Sequence, residues 1–384
     1  MSVSGPWREE GAAEKSVAEP KGDIALEIGL FAMPAHPPER SLYDGAQWDL
    51  QMARWADDYD FDEVWIGEHY FEAWEPCPAP DLLIAQALMQ TKRVRLGAGC
   101  HLLPCHHPLS LAYRVAFLDH LSKGRLMFGI GAGVGPADMR GFDMNNFPGE
   151  NREKMEEALD IILGVWDPSK PFKFNGKYWN AERVEIGGTV NTHHIWPYQK
   201  PYPRMAIAGL TPRSSSLMLA GRHGLSPLSF DLNRNGLLEN WAAVEEGAAQ
   251  AGRTPDRKDW RIVRTIVVAD TDEEARAIAT NGFLARFYEE FYLPGLAKVG
   301  ALALMKQDPT MADSDVTPEY LARTNWLCGS PDTVVRGIQE LHEGVGGFGT
   351  MIMLAMDYSD QPEAWRRSME LMGKVVRPRI AGLN

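Results

Sequence analysis

Eight short apolar stretches, alternating with stretches of helical spacing, constrain this chain more than any other feature. Strand patterns fall at 26–33, 63–67, 94–103, 125–130, 205–208, 225–230, 261–269 and 350–356. Helical patterns fall at 44–59, 81–90, 109–121, 152–166, 214–221, 236–251, 272–291 and 331–343, with a last one at 362–376. Strands alternating with helices are joined by crossovers, and crossovers demand parallel pairing. A count of eight predicts an α/β chain folded as a closed (β/α)8 TIM barrel in place of an open doubly wound sheet. Helix starts are signalled by Asp81 after Pro80, by Thr271 before a run of acidic residues, and by Ser330-Pro331-Asp332.

Two stretches interrupt the rhythm, at 168–204 and 292–326. The first contains Asn175-Gly176 between aromatic runs, a hairpin signal. The second has the length of a lid over a barrel mouth. Nothing resembles a linker, so 23–384 reads as one domain carrying both insertions. Residues 1–22 are polar and charged without an apolar run, which predicts a disordered tail and not a signal peptide. The 45% hydrophobic content supports a full core, and no run of 18 apolar residues predicts a membrane span. Cys77, Cys100, Cys105 and Cys328 lack framework spacing, as expected for a reducing cytoplasm. A net charge of -13 argues against nucleic acid or anionic membranes as partners.

Chemistry-bearing residues sit where the strand patterns end. The pattern at 63–67 breaks at Gly67 and is followed at once by Glu68 and His69. Charged residues at the end of a buried strand mark the rim where barrel active sites form. Gly97 and Gly99 within the third strand pattern predict close approach by something flat, or tight packing in the barrel. The run Cys105-His106-His107 offers no metal site, because adjacent residues on an extended chain point in opposite directions. His193-His194 fails for the same reason. The glycine-rich exit at 129–136 fails as a dinucleotide fingerprint, since its third position falls on Pro136. It reads instead as a glycine-lined strand exit over a ligand. After Gly209, the hydroxyls of Thr211, Ser214, Ser215 and Ser216 open a helix beside Arg213, an arrangement suited to a phosphate.

These residues resemble the bacterial luciferase-like flavin monooxygenases. The resemblance rests on E-H-Y-F at 68–71, L-L-P-C-H-H-P at 102–108, the run at 118–125 leading into a G-I-G-A-G strand, and Ala220-Gly221 before a strand. Pro104, His107-Pro108, G-K-Y-W at 176–179 and G-S-P-D-T at 329–333 are similar to the branch that holds limonene and diketocamphane (type II Baeyer–Villiger) monooxygenases. The resemblance implies a cofactor of reduced FMN supplied by a separate flavin reductase, and homodimers packed through the second and third barrel helices. It implies that His69 is the catalytic histidine and that the Gly99-Cys100 peptide is a non-proline cis bond beneath the flavin ring. Phe31, Gly131 and Gly209 join Gly99 and Cys100 as cofactor-facing positions, with Thr211, Arg213, Ser214, Ser215 and Ser216 at the phosphate. Gly131 and Ala132 stand where luciferase has a reactive cysteine and a phosphate-binding arginine, which leaves Arg213 or Arg140 to supply that charge.

The implied chemistry is attack by a flavin C4a-peroxide or hydroperoxide on a small apolar substrate: a terpenoid, a cyclic ketone or a heteroaromatic. One oxygen atom of O2 enters the product. A histidine of near-neutral pKa is the expected group to control the protonation. Phe31, Met33, Trp65, Trp74 and Phe230 near strand exits fit an apolar substrate, and fit core packing as well. Two alternatives share the barrel. One is a deazaflavin-dependent reductase or dehydrogenase; the other is a flavin-binding protein without catalysis, against which the retained Glu68-His69 pair argues.

Overall fold

The computed structural model describes residues 25–133, 135–144, 146–184, 194–230, 233–308 and 310–383. The tail expected at 1–22 lies outside the described residues, as does His193. Eight parallel strands close into a barrel: β1 (Glu27–Ala32), β2 (Glu63–Ile66), β3 (Arg95–Leu102), β4 (Leu126–Gly131), β5 (Arg204–Gly209), β6 (Ser226–Ser229), β7 (Arg261–Val268) and β8 (Thr350–Ala355). They follow one another around the barrel in chain order, β8 pairs with β1, and β6 closes on β7 through Leu228 opposite Arg261. The predicted (β/α)8 barrel is the observed fold. Strands in such a barrel are covered on both faces, and every residue of β7 (RIVRTIVV) is accordingly buried.

The barrel interior is packed and partly ionic. Trp65 points inward and is fully buried. The ring needs neighbouring strands without side chains: a Cβ at Gly129 would lie 2.0 Å from the Ala98 carbonyl and 3.1 Å from Trp65. Beneath it, at the N-terminal ends of the strands, Arg261 donates two hydrogen bonds to Glu63 at 2.9 and 3.0 Å. The indole N–H of Trp65 donates to the same carboxylate at 2.8 Å. Trp65 is therefore barrel core and not a substrate-facing aromatic.

The outer helices follow the expected starts with informative differences. Thr271 caps its helix by accepting from the Glu274 N–H. Pro80 is the first residue of helix Pro80–Gln90, and Asp81 turns to Arg114 at 2.9 Å. Ser330 does not cap helix Pro331–Val345 with its hydroxyl; Asp272 instead accepts the Ser330 N–H at 2.7 Å and the Thr333 hydroxyl at 3.1 Å. The single helix expected at 272–291 breaks after Asp272–Ala279. Gly282 takes φ +74° there, and Asp360 accepts the Phe283 N–H to start helix Gly282–Phe287.

The insertion at 168–204 carries the predicted hairpin, Lys173–Asn175 with Asn180–Glu182. Its loop is four residues long and not a tight Asn-Gly turn, because the Glu157 carboxylate accepts the N–H groups of Lys177, Tyr178 and Trp179. In the insertion at 292–326, helix Pro318–Thr324 leads into a short strand, Leu327–Gly329, that pairs along the C-terminal half of β7. This part is docked on the barrel wall. No described helix is long and apolar enough to cross a membrane.

Candidate active site

The C-terminal ends of the strands form the mouth where barrel enzymes place their chemistry. Phe31 is the next-to-last residue of β1, β3 bends at Gly99-Cys100, β4 ends at Gly131 and β5 at Gly209. The Gly99-Cys100 peptide is cis, as expected. A Cβ at Gly99 would lie 2.6 Å from the Phe31 ring, so only glycine lets that ring lie against the strand. Phe31 meets Phe230, just beyond β6, edge to face at 4.9 Å. A Cβ at Gly131 would stand 3.4 Å from the Cys100 Cβ, which places those two positions side by side on the floor of the mouth. Burial pushes the Cys100 thiol up to about 12, against a backbone hydrogen bond with Ala208, so the group stays a neutral thiol. Phe31, Gly99, Cys100 and Gly131 thus form one flat, apolar, side-chain-poor floor.

Beyond Gly209 the chain turns through Arg213 at φ +50° into helix Ser215–His223. Ser214 occupies the N-cap but makes no side-chain cap. Thr211 and Ser215 are exposed and Ser214 is buried against Asn240, whose side-chain oxygen accepts the Ser214 N–H at 3.4 Å. An uncapped helix start with hydroxyls around it is suited to an anion. Arg213 departs from expectation, since its guanidinium is engaged by Glu246 on helix Arg234–Gln250. Arg140 is exposed on the short helix Pro136–Gly141.

That short helix instead delivers an acid. Asp138 is fully buried and accepts the N–H groups of Tyr70 and Phe71 at 3.2 and 3.0 Å. Its second oxygen lies 3.2 Å from His69 Nδ1, and His69 Nε2 lies 3.5 Å from the buried Glu75. Burial opposes charge on His69, but Glu75, Asp138 and Glu72 outweigh it and raise the imidazole to about 9. Asp138 is held below the usual carboxylate range, the His69 hydrogen bond and the two backbone N–H groups overcoming its burial. Glu75 is pushed up by burial. His69 is therefore an imidazolium at neutral pH and not the near-neutral group expected. Beside it, His106 Nε2 meets both oxygens of Glu68 at 2.9 and 3.1 Å, which turns that ring away from any metal-binding role with Cys105 or His107.

The sequence pattern of the family described as luciferase-like monooxygenase matches residues 26–346. The 3,6-diketocamphane 1,6-monooxygenase of Pseudomonas putida is 34% identical over 93% of this chain and 99% of its own length. Limonene 1,2-monooxygenase of Rhodococcus erythropolis is 31% identical over 93% of this chain and 87% of its own. Among solved structures, the oxygenating constituent of 3,6-diketocamphane monooxygenase from P. putida, a type II Baeyer–Villiger monooxygenase in complex with FMN, superposes with a TM-score of 0.87. That match is 34% identical and covers 93% of this chain and 99% of that one. The chain belongs to the luciferase-like monooxygenases.

Several groups of this luciferase-like monooxygenase were not singled out from its sequence. Asp138 lies 69 residues from His69, and only the fold joins them. The signal available was Gly135-Pro136-Ala-Asp138, with proline at the first helical position and an acid in the first turn. His36 was also missed. Its ring bridges Asp357 at 2.8 Å and Asp49 at 3.2 Å, tying the exit of β8 to the loop after β1. Burial again opposes charge, yet the two carboxylates raise His36 to about 9.

Proposed function

We propose that this luciferase-like monooxygenase is the oxygenating component of a two-component system. It takes reduced FMN from a separate flavin reductase and, with O2, inserts one oxygen atom into a small apolar substrate of the terpenoid or cyclic-ketone kind. The observation that carries this reading is the side-chain-poor floor at Gly99, Cys100 and Gly131, with the His69–Asp138 pair at a neighbouring strand end. The residues present fit FMN: glycine clears the floor, Phe230 stands against Phe31 at its edge, and Thr211 with Ser214, Ser215 and Ser216 offers hydroxyls to the phosphate at an uncapped helix start. Bound reduced FMN supplies the electrons that activate O2. The two relatives are monooxygenases of 3,6-diketocamphane and of limonene, which supports a compact apolar substrate.

The protein's own part is to bind, to exclude water and to hold a proton. Phe31 and Phe230, edge to face at 4.9 Å, keep the floor apolar. Asp138 fixes His69 through Nδ1, which leaves Nε2, beside Glu75, as the atom from which a proton is offered. A mixture of this chain, FMN, a flavin reductase, NADH and O2 should convert camphane-type ketones or monoterpenes to products heavier by one oxygen. Failure of every such substrate with reduced flavin present would overturn the reading.

The phosphate placement has its own test. Thr211→Ala with Ser214→Ala should weaken FMN while leaving riboflavin nearly unchanged, at roughly 1.5–3 kcal/mol for each hydrogen bond lost to a charged group. Equal weakening of both flavins places the phosphate elsewhere.

A homodimer through helices Pro80–Gln90 and Pro108–Ser122 is the proposed assembly. Met89 and Leu82 on the first are 87% and 66% exposed, and Phe117 and Leu121 on the second are 54% and 56% exposed. Spacings of seven and four put each pair on one face, which leaves exposed apolar side chains on both helices. Met89→Asp with Phe117→Asp should weaken self-association by at least about 100-fold, given the cost of burying unpaired charge. Light scattering after size exclusion should then read a monomer; a wild-type chain that is itself monomeric at micromolar concentration removes this interface.

A further inference from the structure

A cavity lies on the outer wall of the barrel, outside β7. It has a volume of about 250 Å³ and sits between helix Asp272–Ala279, helix Pro318–Thr324, the short strand Leu327–Gly329 and the first turns of helix Pro331–Val345. Arg276, Arg323 and Arg336 line it, with Thr333 at one edge and Trp326 and Cys328 as a buried apolar floor. Glu340 is the one acidic residue in the lining, so the wall carries three positive charges against one negative in a chain whose net charge is -13.

The arginines are poorly neutralised by the protein itself. Arg323 donates to the Glu319 carbonyl at 3.1 Å, and Arg336 donates to the Thr333 hydroxyl at 3.3 Å. Neither has a carboxylate within ion-pair distance among the described residues. Arg276 reaches Asp272 only at 3.8 Å, and that carboxylate already accepts from Ser330 and Thr333. The three guanidinium groups line one cavity from exposed positions, so an anion placed among them meets three positive charges. Their planar donor forks match phosphate oxygens in pairs, while the apolar floor suits the rest of a small molecule.

We infer that this cavity is a second anion site, which binds a phosphate group on a small molecule independently of the flavin. A volume of about 250 Å³ admits one phosphoryl or pyrophosphoryl group. It lies outside β7 and shares no lining residue with the hydroxyls after β5. A ligand held there ties helix Pro318–Thr324 and the short strand to helix Asp272–Ala279, and so braces the insertion against β7.

Calorimetric titration with pyrophosphate tests this, both in FMN-saturated protein and in protein without flavin. Saturable binding with one site per chain should persist at saturating FMN. It should weaken by about ten-fold or more in Arg323→Gln/Arg336→Gln, whose changes lie on exposed side chains, while FMN affinity stays at its wild-type value. Equal affinity for inorganic phosphate and ADP identifies a site for the bare anion, and tighter binding of ADP identifies a nucleotide; either supports the inference. Binding that disappears when FMN is added, or that is unchanged in the double variant, overturns it. Arg276→Gln provides an independent check through the third charge, and intact binding in all three positions' variants also overturns it.

Discussion

Replacing His69 with alanine is expected to lower product formation by about 10²–10⁴-fold, the usual worth of a positioned acid–base group. Flavin binding should be retained, because the ring fills no part of the floor; the stability lost by leaving the buried Glu75 and Asp138 without their cation is read separately by urea denaturation. Hydrogen peroxide release per reduced flavin should rise as oxygen chemistry loses its proton control. The pH dependence follows from the charge state. The imidazole is raised to about 9 in the fold, so the acid form is complete near neutrality and is depleted as pH climbs through about 9. Coupled product formation should therefore fall on the alkaline side with a midpoint near that value. In Asp138→Asn the midpoint should move toward neutrality, since a carboxylate that favours the charged ring is gone. His36 holds its proton to about 9 as well, and a raised folded pKa gives stability below about 6.5 that is lost through the same alkaline window. Circular dichroism at each pH separates unfolding from the active-site titration. Near-normal coupling in His69→Ala would reduce His69 to a structural residue of the rim.

What was legible in the sequence depended on periodicity and on chain-local rules. The eight strands emerge within a few residues of their expected bounds, because buried parallel strands read as apolar runs between helical repeats. The cis bond at Gly99-Cys100 was legible through resemblance, and the helix start at Ser214 through the hydroxyl run after a strand end. The remainder depended on partners brought together only by closure of the barrel. Arg213 looked like a phosphate ligand from its neighbours, but Glu246, 33 residues on, engages it. Trp65 fitted an apolar substrate and core packing equally from its place near a strand end; the space cleared by Gly97 and Gly129 makes it core. His69 looked neutral because its ordinary value is 6.5, and no local rule announced Glu75 and Asp138 around it. Charge placement is a long-range property, and a single chain read along its length does not display it.

The same principle gives the largest expected stability effect, at the opposite end of the barrel. Glu63 is fully buried and Arg261 is 1% exposed, and they share two hydrogen bonds. Burial would raise the Glu63 carboxyl, but Arg261 and Arg95 outweigh it and hold it below its usual range. A depressed folded pKa means that this stabilisation is present above about 4.5 and is lost as pH falls through the folded value. Arg261→Met should destabilise the protein by about 3–5 kcal/mol, because the carboxylate is left with the Trp65 N–H and with Arg95 at 3.4 Å. In that variant the carboxyl regains its raised pKa, so mildly acidic pH should narrow the gap to wild type. Glu63→Gln combined with Arg261→Met should recover part of the loss, since the cost lies in the stranded charge and not in the missing pair. Urea denaturation midpoints of the three proteins at two pH values measure all of this. A double variant less stable than Arg261→Met would mean that the carboxylate is held by other groups, and that Arg261 acts through packing against Trp65 instead.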